Sequence, residues 1–358
     1  MSSIYIIAEA GVNHNGSLDL AMQLIDVAAE AGANAIKFQT FKAAQLVSRN
    51  TPKAEYQMRT TGPGESQYEM LKKLELDEPA HQKIIEYCSK KGIQFLSTPF
   101  DLDSLDMLVN KFNLPRLKMP SGDITNAPLL LKAAKSGKSI ILSTGMSTLG
   151  EIEAALGVLA FGCTQADEIP SLKVFQEAYR SEAGRQALQE KVTLLHCTTE
   201  YPAPFEDVNL RAMDTLRTAF GLPVGYSDHT PGIAVAIAAA ALGAAIIEKH
   251  FTLDHNLPGP DHRASLEPQE LKAMTQSIRQ IEAALGSSLK YPSPSEIKNI
   301  PLARKSIVAA KEIMKGDLLT EDNITVKRPG SGISPLYYWQ LTGTLANKDY
   351  KKDEMVSI

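Results

Sequence analysis

Eight short apolar runs alternate with helix-period stretches along the chain up to Gly286, and nothing else in the sequence restricts the fold as strongly. The runs fall at 5–8, 35–38, 94–96, 116–119, 139–142, 192–196, 224–227 and 245–248. Helical patterns such as 18–31, 65–91 and 233–242 separate them, usually ended by a glycine, and a helix over 268–285 closed by Gly286 supplies the last outer layer. Parallel strands joined through helices need right-handed crossovers, so their C-terminal ends lie side by side. Eight such units predict an α/β fold with a (β/α)8 TIM barrel over 1–286, the open doubly wound sheet being the structural alternative. The stretch 40–64 reads as a long polar connection. The polar helical insertion 163–191 is expected to lie away from any chemistry.

Beyond Gly286 the character changes. SSLKYPSPSEIKN is a Ser-, Pro- and charge-rich linker over 287–300, and the runs SIVAA, LLTEDNITVK and MVSI mark a small β-rich domain over 301–358. A piece that small is marginal alone and is expected to dock on a barrel, its own or a partner chain's. The net charge of −4, without a Lys/Arg cluster, excludes a nucleic-acid footprint. Cys88, Cys163 and Cys197 are odd in number and without CxxC spacing, which fits a reducing compartment. The opening MSSIYIIAEAGVNHNG has no basic start, and no apolar run is long enough to span a bilayer; a cytoplasmic, membrane-free protein is expected.

In a barrel, residues just past the strands form the catalytic face. Those positions here are rich in chemistry: Glu9, Asn13, His14, Lys37, Gln39, Thr98, Lys118, Ser121, Asp123, Ser143, His196, Thr199, Tyr201, Ser227, Asp228, His229, Glu248 and His250. His229 and His250 follow consecutive strands and can converge on a divalent metal, or serve as polar strand-end groups bonded to backbone. Lys37 and Lys118 can neutralise an anionic substrate or, alternatively, form a Schiff base as in a class I aldolase. His14 and His196 read as structural members of the site floor. His81, His255 and His262 read as solvent-facing, Cys197 as a small buried strand residue and Asp123 as a cap. A non-catalytic reading, with the small domain as a ligand-binding module carried by the barrel, remains beside these.

The blocks IIAEAGVNHNG, IKFQTF, FLSTPFD, KMPSGDITN, ILSTGM, LLHCTTEYPAP, GYSDHT, EKHFT, GPDH and TVKRPGSGIS together resemble the sialic acid (nonulosonic acid) synthase family over nearly the whole chain, including its C-terminal antifreeze-like (SAF) domain. The resemblance implies condensation of phosphoenolpyruvate with an open-chain N-acetylmannosamine-type sugar, with C–O cleavage and release of phosphate. The product would be N-acetylneuraminate or N,N'-diacetyllegionaminate. It further implies Lys118, Ser121, Ser143 and Ser227 around phosphate, with Lys37, Thr98, Thr199 and Glu248 nearby, although some relatives carry asparagine at the position of Thr199. Glu9 is the expected general base, and Mn or Mg the expected metal on His229 and His250. Tyr201, Gln39 and Asp261 are the expected sugar contacts. Arg328 resembles the family's arginine that reaches the sugar's N-acyl group in the other subunit's barrel, which implies a domain-swapped homodimer. The helix over 233–242, apolar on every face, is expected to contribute a subunit contact. AEAGVNHNG, CTTEYPAP and HRASLEPQEL look closest to synthases that use a 2,4-diacetamido-2,4,6-trideoxy sugar. Side chains in 40–64 or around Asp261 are expected to set that choice.

Overall fold

The computed structural model describes residues 3–62, 64–164 and 168–358, and it divides into two compact units, 1–286 and 287–358. In the first unit eight strands run parallel: β1 Tyr5–Gly11, β2 Ala35–Thr40, β3 Gln94–Pro99, β4 Arg116–Met119, β5 Ser139–Ser143, β6 Val192–Cys197, β7 Val224–Asp228 and β8 Ile246–His250. They pair in the order β3-β2-β1-β8-β7-β6-β5-β4. β3 and β4 then face each other and bring the sheet round to a near-closed barrel. This is the TIM barrel expected from the eightfold alternation.

Strand periodicity explains where the chemistry sits. Ile7, Ala35, Leu96, Ile141, Leu195 and Ile246 form an apolar cluster of their own, apart from the larger core shared by sheet and helices. Each stands two residues before a polar or thiol group: Glu9, Lys37, Thr98, Ser143, Cys197 and Glu248. Side chains two apart share a face of a strand, so the apolar layer plugs the barrel and the chemical layer rests on it. β7 contributes Gly225 to that lower layer, where an added Cβ would lie 2.5 Å from the Ile246 carbonyl and 2.7 Å from Leu195. Only glycine lets β7 and β8 approach there.

The outer helices begin and end as local chemistry dictates. Ser17 caps Leu18–Glu30 and Asp77 caps Glu78–Lys91, which stops at left-handed Gly92. The connection read as polar is more ordered than expected: it holds helices Ala43–Leu46 and Glu55–Thr61, followed by Gln67–Leu74. Its apolar residues Phe41, Ala43, Met70, Leu71 and Leu74 build a satellite cluster with Val12. In the insertion 163–191, of which 165–167 lie outside the described residues, helices Leu172–Arg180 and Glu182–Lys191 pack on helix Leu149–Cys163, with Phe175 edge-on to Phe161. Helix Ala234–Ala241 buries Ala236, Ala239 and Ala240 and leaves Ala234, Ala238 and Ala241 exposed.

Two histidines expected at the surface are buried. His81 lies against Phe112 and Phe95, with Nε2 2.8 Å from the Thr40 hydroxyl and Nδ1 2.9 Å from the Asp77 carbonyl. His262 sits between the Thr252 hydroxyl and Asn15. Both are inside because each ring finds partners for both nitrogens.

The second unit pairs β9 Ser306–Ala309 antiparallel with β10 Ile324–Lys327, around a core that includes Ile307, Ile313, Ile324, Tyr350 and Val356. Among the described residues no helix is long and apolar enough to cross a membrane.

Candidate active site

Strand register assembles the site. β1 sets Glu9 beside Lys37 of β2 and beside His250 of β8, while Glu248 of β8 stands opposite Ser227 of β7. Lys37 Nζ lies 2.7 Å from Glu9, 3.6 Å from Glu248 and donates to Thr98 Oγ1 at 3.0 Å. Lys118 Nζ lies 3.5 Å from Glu248 and donates to Ser143 Oγ at 2.7 Å, and the Ser227 hydroxyl donates to Glu248 at 2.8 Å. The result is a buried chain of alternating charge, Glu9, Lys37, Glu248, Lys118, spanning the barrel from β1 to β4.

The two carboxylates in this chain behave oppositely. Burial raises Glu9 to about 7, with Lys37 opposing and Glu248 reinforcing the shift. Burial also acts to raise Glu248, but Lys118, Lys37 and the Ser227 hydroxyl together hold it down at about 2. Lys37 is lowered by burial yet ends above the ordinary lysine value because Glu248 and Glu9 flank it. An ammonium held charged in this way is a poor Schiff-base nucleophile. For Lys118 burial wins, and its value falls.

Above this layer the rings of His229 and His250 lie 5.7 Å apart, with Tyr201 4.2 Å from the first and edge-on to the second at 5.7 Å. His250 ends β8 instead of following it. His229 Nδ1 sits 2.6 Å from the Thr198 carbonyl, which can only accept, so the proton is on Nδ1 and Nε2 keeps its lone pair. Burial lowers His229 to about 4 and His250 well below the ordinary value, and His250 Nδ1 is buried without a partner. Two neutral imidazoles, one oriented by a backbone carbonyl, fit a divalent metal. No group of three or more His, Cys, Asp and Glu side chains is arranged for a metal among the described residues, so the other ligands would be water or substrate oxygens. Gly11 lies at the junction: a Cβ there would meet His250 at 3.3 Å, Glu9 at 3.4 Å and Gln39 at 3.5 Å.

A second feature lies beyond Lys118. The Gly145 N–H donates to Ser121 Oγ at 3.0 Å, and a Cβ on Gly145 would fall 2.4 Å from Thr199 Oγ1, 2.9 Å from Ser121 Oγ and 3.0 Å from Cys197 Sγ. Thr199 Oγ1 is buried without a partner. Hydroxyls of Ser121, Ser143 and Thr199 with the Lys118 ammonium form a cradle of donors for an anion.

These groups share one cavity of about 460 Å³. It is lined by Glu9, Lys37, Gln39, Thr98, Lys118, Ser121, Ser143, Thr199, Tyr201, Ser227, His229, Glu248, His250 and Asp261. Asp261 is buried there, which raises it to about 6. Arg328 is in the second unit, exposed, with Nε donating to the Ala303 carbonyl at 3.0 Å. Sequence reasoning placed substrate contacts in 40–64 without naming them; the cavity is lined there by Val47 and Gln57, and beyond 64 by Gln67 and Met70, which it did not expect. The Ser66 and Glu69 capping box before an apolar-spaced run was the available signal for these. It also missed the buried Lys249–Asp228 pair at 2.8 Å behind the site. In EKH the middle residue must face away from its neighbours, toward the helix layer.

The NeuB family model matches residues 24–290, and the SAF domain model matches residues 304–358. The chain is 54% identical to a Campylobacter jejuni N,N'-diacetyllegionaminic acid synthase over 356 residues, 99% of both chains. It is 45% identical to the enzyme of that name from Legionella pneumophila, covering 95% of this chain and 89% of the other. Among solved structures, the N-acetylneuraminic acid synthetase of Leptospira borgpetersenii in complex with citrate superposes with a TM-score of 0.67 at 35% identity, over 84% of this chain and 90% of that one. A family match across most of the barrel, joined to full-length identity with such relatives, establishes that the chain belongs to the NeuB family.

Proposed function

We propose that the protein condenses phosphoenolpyruvate with the open-chain aldehyde of an N-acetylmannosamine-type sugar, giving a nonulosonic acid, N-acetylneuraminate or N,N'-diacetyllegionaminate. The observation that carries this reading is the pair of carboxylates driven apart within one buried charge chain, Glu9 to about 7 and Glu248 to about 2. Such a pair separates a proton-transferring group from a permanently charged one.

The anion fits the cradle. Lys118 with Ser121, Ser143 and Ser227 holds the phosphate, with Thr199 beside them, and Lys37 faces the enol carboxylate. C3 of phosphoenolpyruvate attacks the aldehyde carbon, and the alkoxide so formed takes a proton from solvent. Water adds at C2, losing one proton to Glu9; the C2–O bond to phosphate then breaks as the C2 hydroxyl passes its remaining proton to the departing phosphate, leaving the ketone and inorganic phosphate. Glu9, the base with a value near neutrality, is suited to take the first of these protons. Glu248, always ionised, keeps Lys37 and Lys118 charged and aimed. His229 and His250 hold a divalent metal, Mn or Mg, which when bound polarises the aldehyde oxygen. Tyr201, Gln39 and Asp261 position the sugar.

The assembly is a domain-swapped homodimer in a cytoplasmic setting, in which Arg328 reaches the sugar's N-acyl group in the partner's barrel. The exposed alanine face of helix Ala234–Ala241 supports a subunit contact. The test is phosphate release from phosphoenolpyruvate by metal-stripped enzyme, with and without Mn or Mg, offering N-acetylmannosamine and the diacetamido sugar in parallel with product mass recorded. Metal-dependent release with one sugar is expected. Silence with both sugars under every metal would refute the reading.

A further inference from the structure

The turn that leaves β1 is set by its own sequence. In VNHNG the N–H groups of Asn13 and Asn15 donate to the carbonyls of Ala10 and Val12, both at 2.9 Å, and the Gly16 N–H donates to His14 Nδ1 at 3.0 Å. Asn15 is left-handed, at φ 51°, a conformation that asparagine tolerates. A Cβ on Gly16 would lie 2.4 Å from the Lys73 carbonyl, so only glycine fits. A turn this constrained holds the side chains of Asn13 and Asn15 in place, and both reach the loop after β8.

That loop, 251–265, brings Asp261 to the cavity. Among the described residues its regular structure is limited to the helical turn His262–Ala264. A stretch of this length keeps one conformation where groups outside it hold it. Asn13 is the central tie. Its Nδ2 donates to the Phe251 carbonyl at 2.8 Å and to Ser265 Oγ at 2.9 Å, and the Ser265 hydroxyl donates to the Asp261 carbonyl at 2.7 Å. That carbonyl otherwise accepts the Ala264 N–H at 3.2 Å. Asn15 Oδ1 accepts from His262 Nε2 at 3.1 Å, one residue beyond Asp261. Asn13 and Ser265 are not among the described residues that line the cavity, so what they do there passes through Asp261.

The unmet half of the Asn13 amide separates function from fold. Both amide hydrogens are engaged, yet Oδ1 is buried without a partner, which is destabilising. A side chain that breaks the pairing rule for the sake of two donors is explained by what those donors hold.

We infer that Asn13, acting through the Ser265 hydroxyl, is the positioning residue that sets Asp261 for the acceptor sugar. The inference rests on the synthase reading above, in which Asp261 contacts the sugar and phosphoenolpyruvate lies in the cradle. The Ser265 bond to the Asp261 carbonyl fixes the rotation of that peptide, and with it the direction in which the carboxyl leaves the backbone. A displacement of about 1 Å at such a contact is enough to weaken sugar binding severely. The cradle residues lie on other strands and are untouched.

The test uses the full-length, metal-loaded protein, N-acetylmannosamine and the diacetamido sugar, and initial rates of phosphate release. Ser265→Ala removes the hydroxyl with little change of volume. It is expected to raise KM for the sugar that wild type turns over by about tenfold, the effect of one well-placed hydrogen bond, with KM for phosphoenolpyruvate within about twofold of wild type. Asn13→Ala is expected to raise the same KM at least as far, since it also frees the Phe251 carbonyl. Adding Ser265→Ala to Asn13→Ala should then change little, because the two act in series. Should Asn13→Ala fail to fold, Ser265→Ala decides by the split between the two KM values, which a general loss of structure would move together. Equal rises in both KM values, an unchanged sugar KM in Ser265→Ala, or fully multiplying effects in the double variant would overturn the inference and leave the synthase reading intact. A wild type that releases no phosphate with either sugar under any metal would overturn both.

Discussion

Replacing Glu9 by glutamine should make the protein more stable and nearly inactive, with a stability gain that depends on pH in a defined way. Glu9 is buried and its carboxyl stands at about 7 against an ordinary 4.5, so the folded state binds its proton more tightly than the unfolded state. A group raised in this way costs stability as pH climbs from the unfolded value toward the folded one, and the full cost is present above about 7. Its size is about 3 kcal/mol at pH 8 and under about 1 kcal/mol at pH 5. Glutamine is close to an isostere of the protonated acid, and Lys37, already counted in the shifted value, keeps Glu248 as a partner. Thermal unfolding at pH 8 should therefore rise by roughly 5–10 °C in Glu9→Gln, and by only a degree or two at pH 5. Turnover should fall by about 100-fold or more, the ordinary contribution of a positioned base. Equal stability of the two proteins at pH 8, or a gain that is the same at both pH values, would refute the claim that folding strains this ion.

Three further outcomes follow from the same geometry. Because Glu9 must be ionised to accept a proton, kcat/KM for phosphoenolpyruvate should climb with pH up to about 7 and then level off; a flat profile from pH 5.5 to 8 would count against its role as base. Gly145→Ala places a methyl 2.4 Å from Thr199 Oγ1. It should raise KM for phosphoenolpyruvate by about tenfold or more with little change in melting temperature, and an unchanged KM would remove the cradle from the phosphate site. Lys249→Met leaves Asp228 buried without its cation and should cost about 3–5 kcal/mol, read by denaturant unfolding; a loss below about 1 kcal/mol would mean that Thr230 and the Tyr226 hydroxyl suffice for Asp228.

Much of the barrel was legible because two periodicities dominate it. Arg116–Met119 and Pro268–Leu285 have the bounds that the apolar pattern suggests. The other strands extend one to three residues further, since polar strand-end side chains still continue a ladder. The cavity-lining groups were legible through the rule that chemistry follows barrel strands. Helix Glu55–Thr61 was not, because its sequence carries few apolar residues and its order comes from burying Gln57 and anchoring Thr60 on a distant loop. The burial of His81 and His262 was invisible for the same reason: each is satisfied by groups remote in sequence or by a carbonyl one helical turn away.

The electrostatics of the site show why residue type alone does not assign roles. Glu9 in IAEAG and Glu248 in IIEKH are both carboxylates near the ends of apolar strands on adjacent positions of the barrel. Nothing local distinguishes them. The difference arises from strand neighbours: Glu248 receives the Ser227 hydroxyl from β7 and lies within 3.6 Å of both Lys37 and Lys118, whereas Glu9 has Lys37 at 2.7 Å and the apolar barrel floor beneath it. Each extra cation or donor favours the ionised form, and each face lost to water disfavours it. Swapping the two environments would swap the roles. It follows that Ser227→Ala, which removes a donor from Glu248 without touching Glu9, should raise the Glu248 carboxyl toward Glu9, and a carbon-13 NMR titration in which Glu248 keeps its wild-type value would show that Ser227 contributes nothing to their separation.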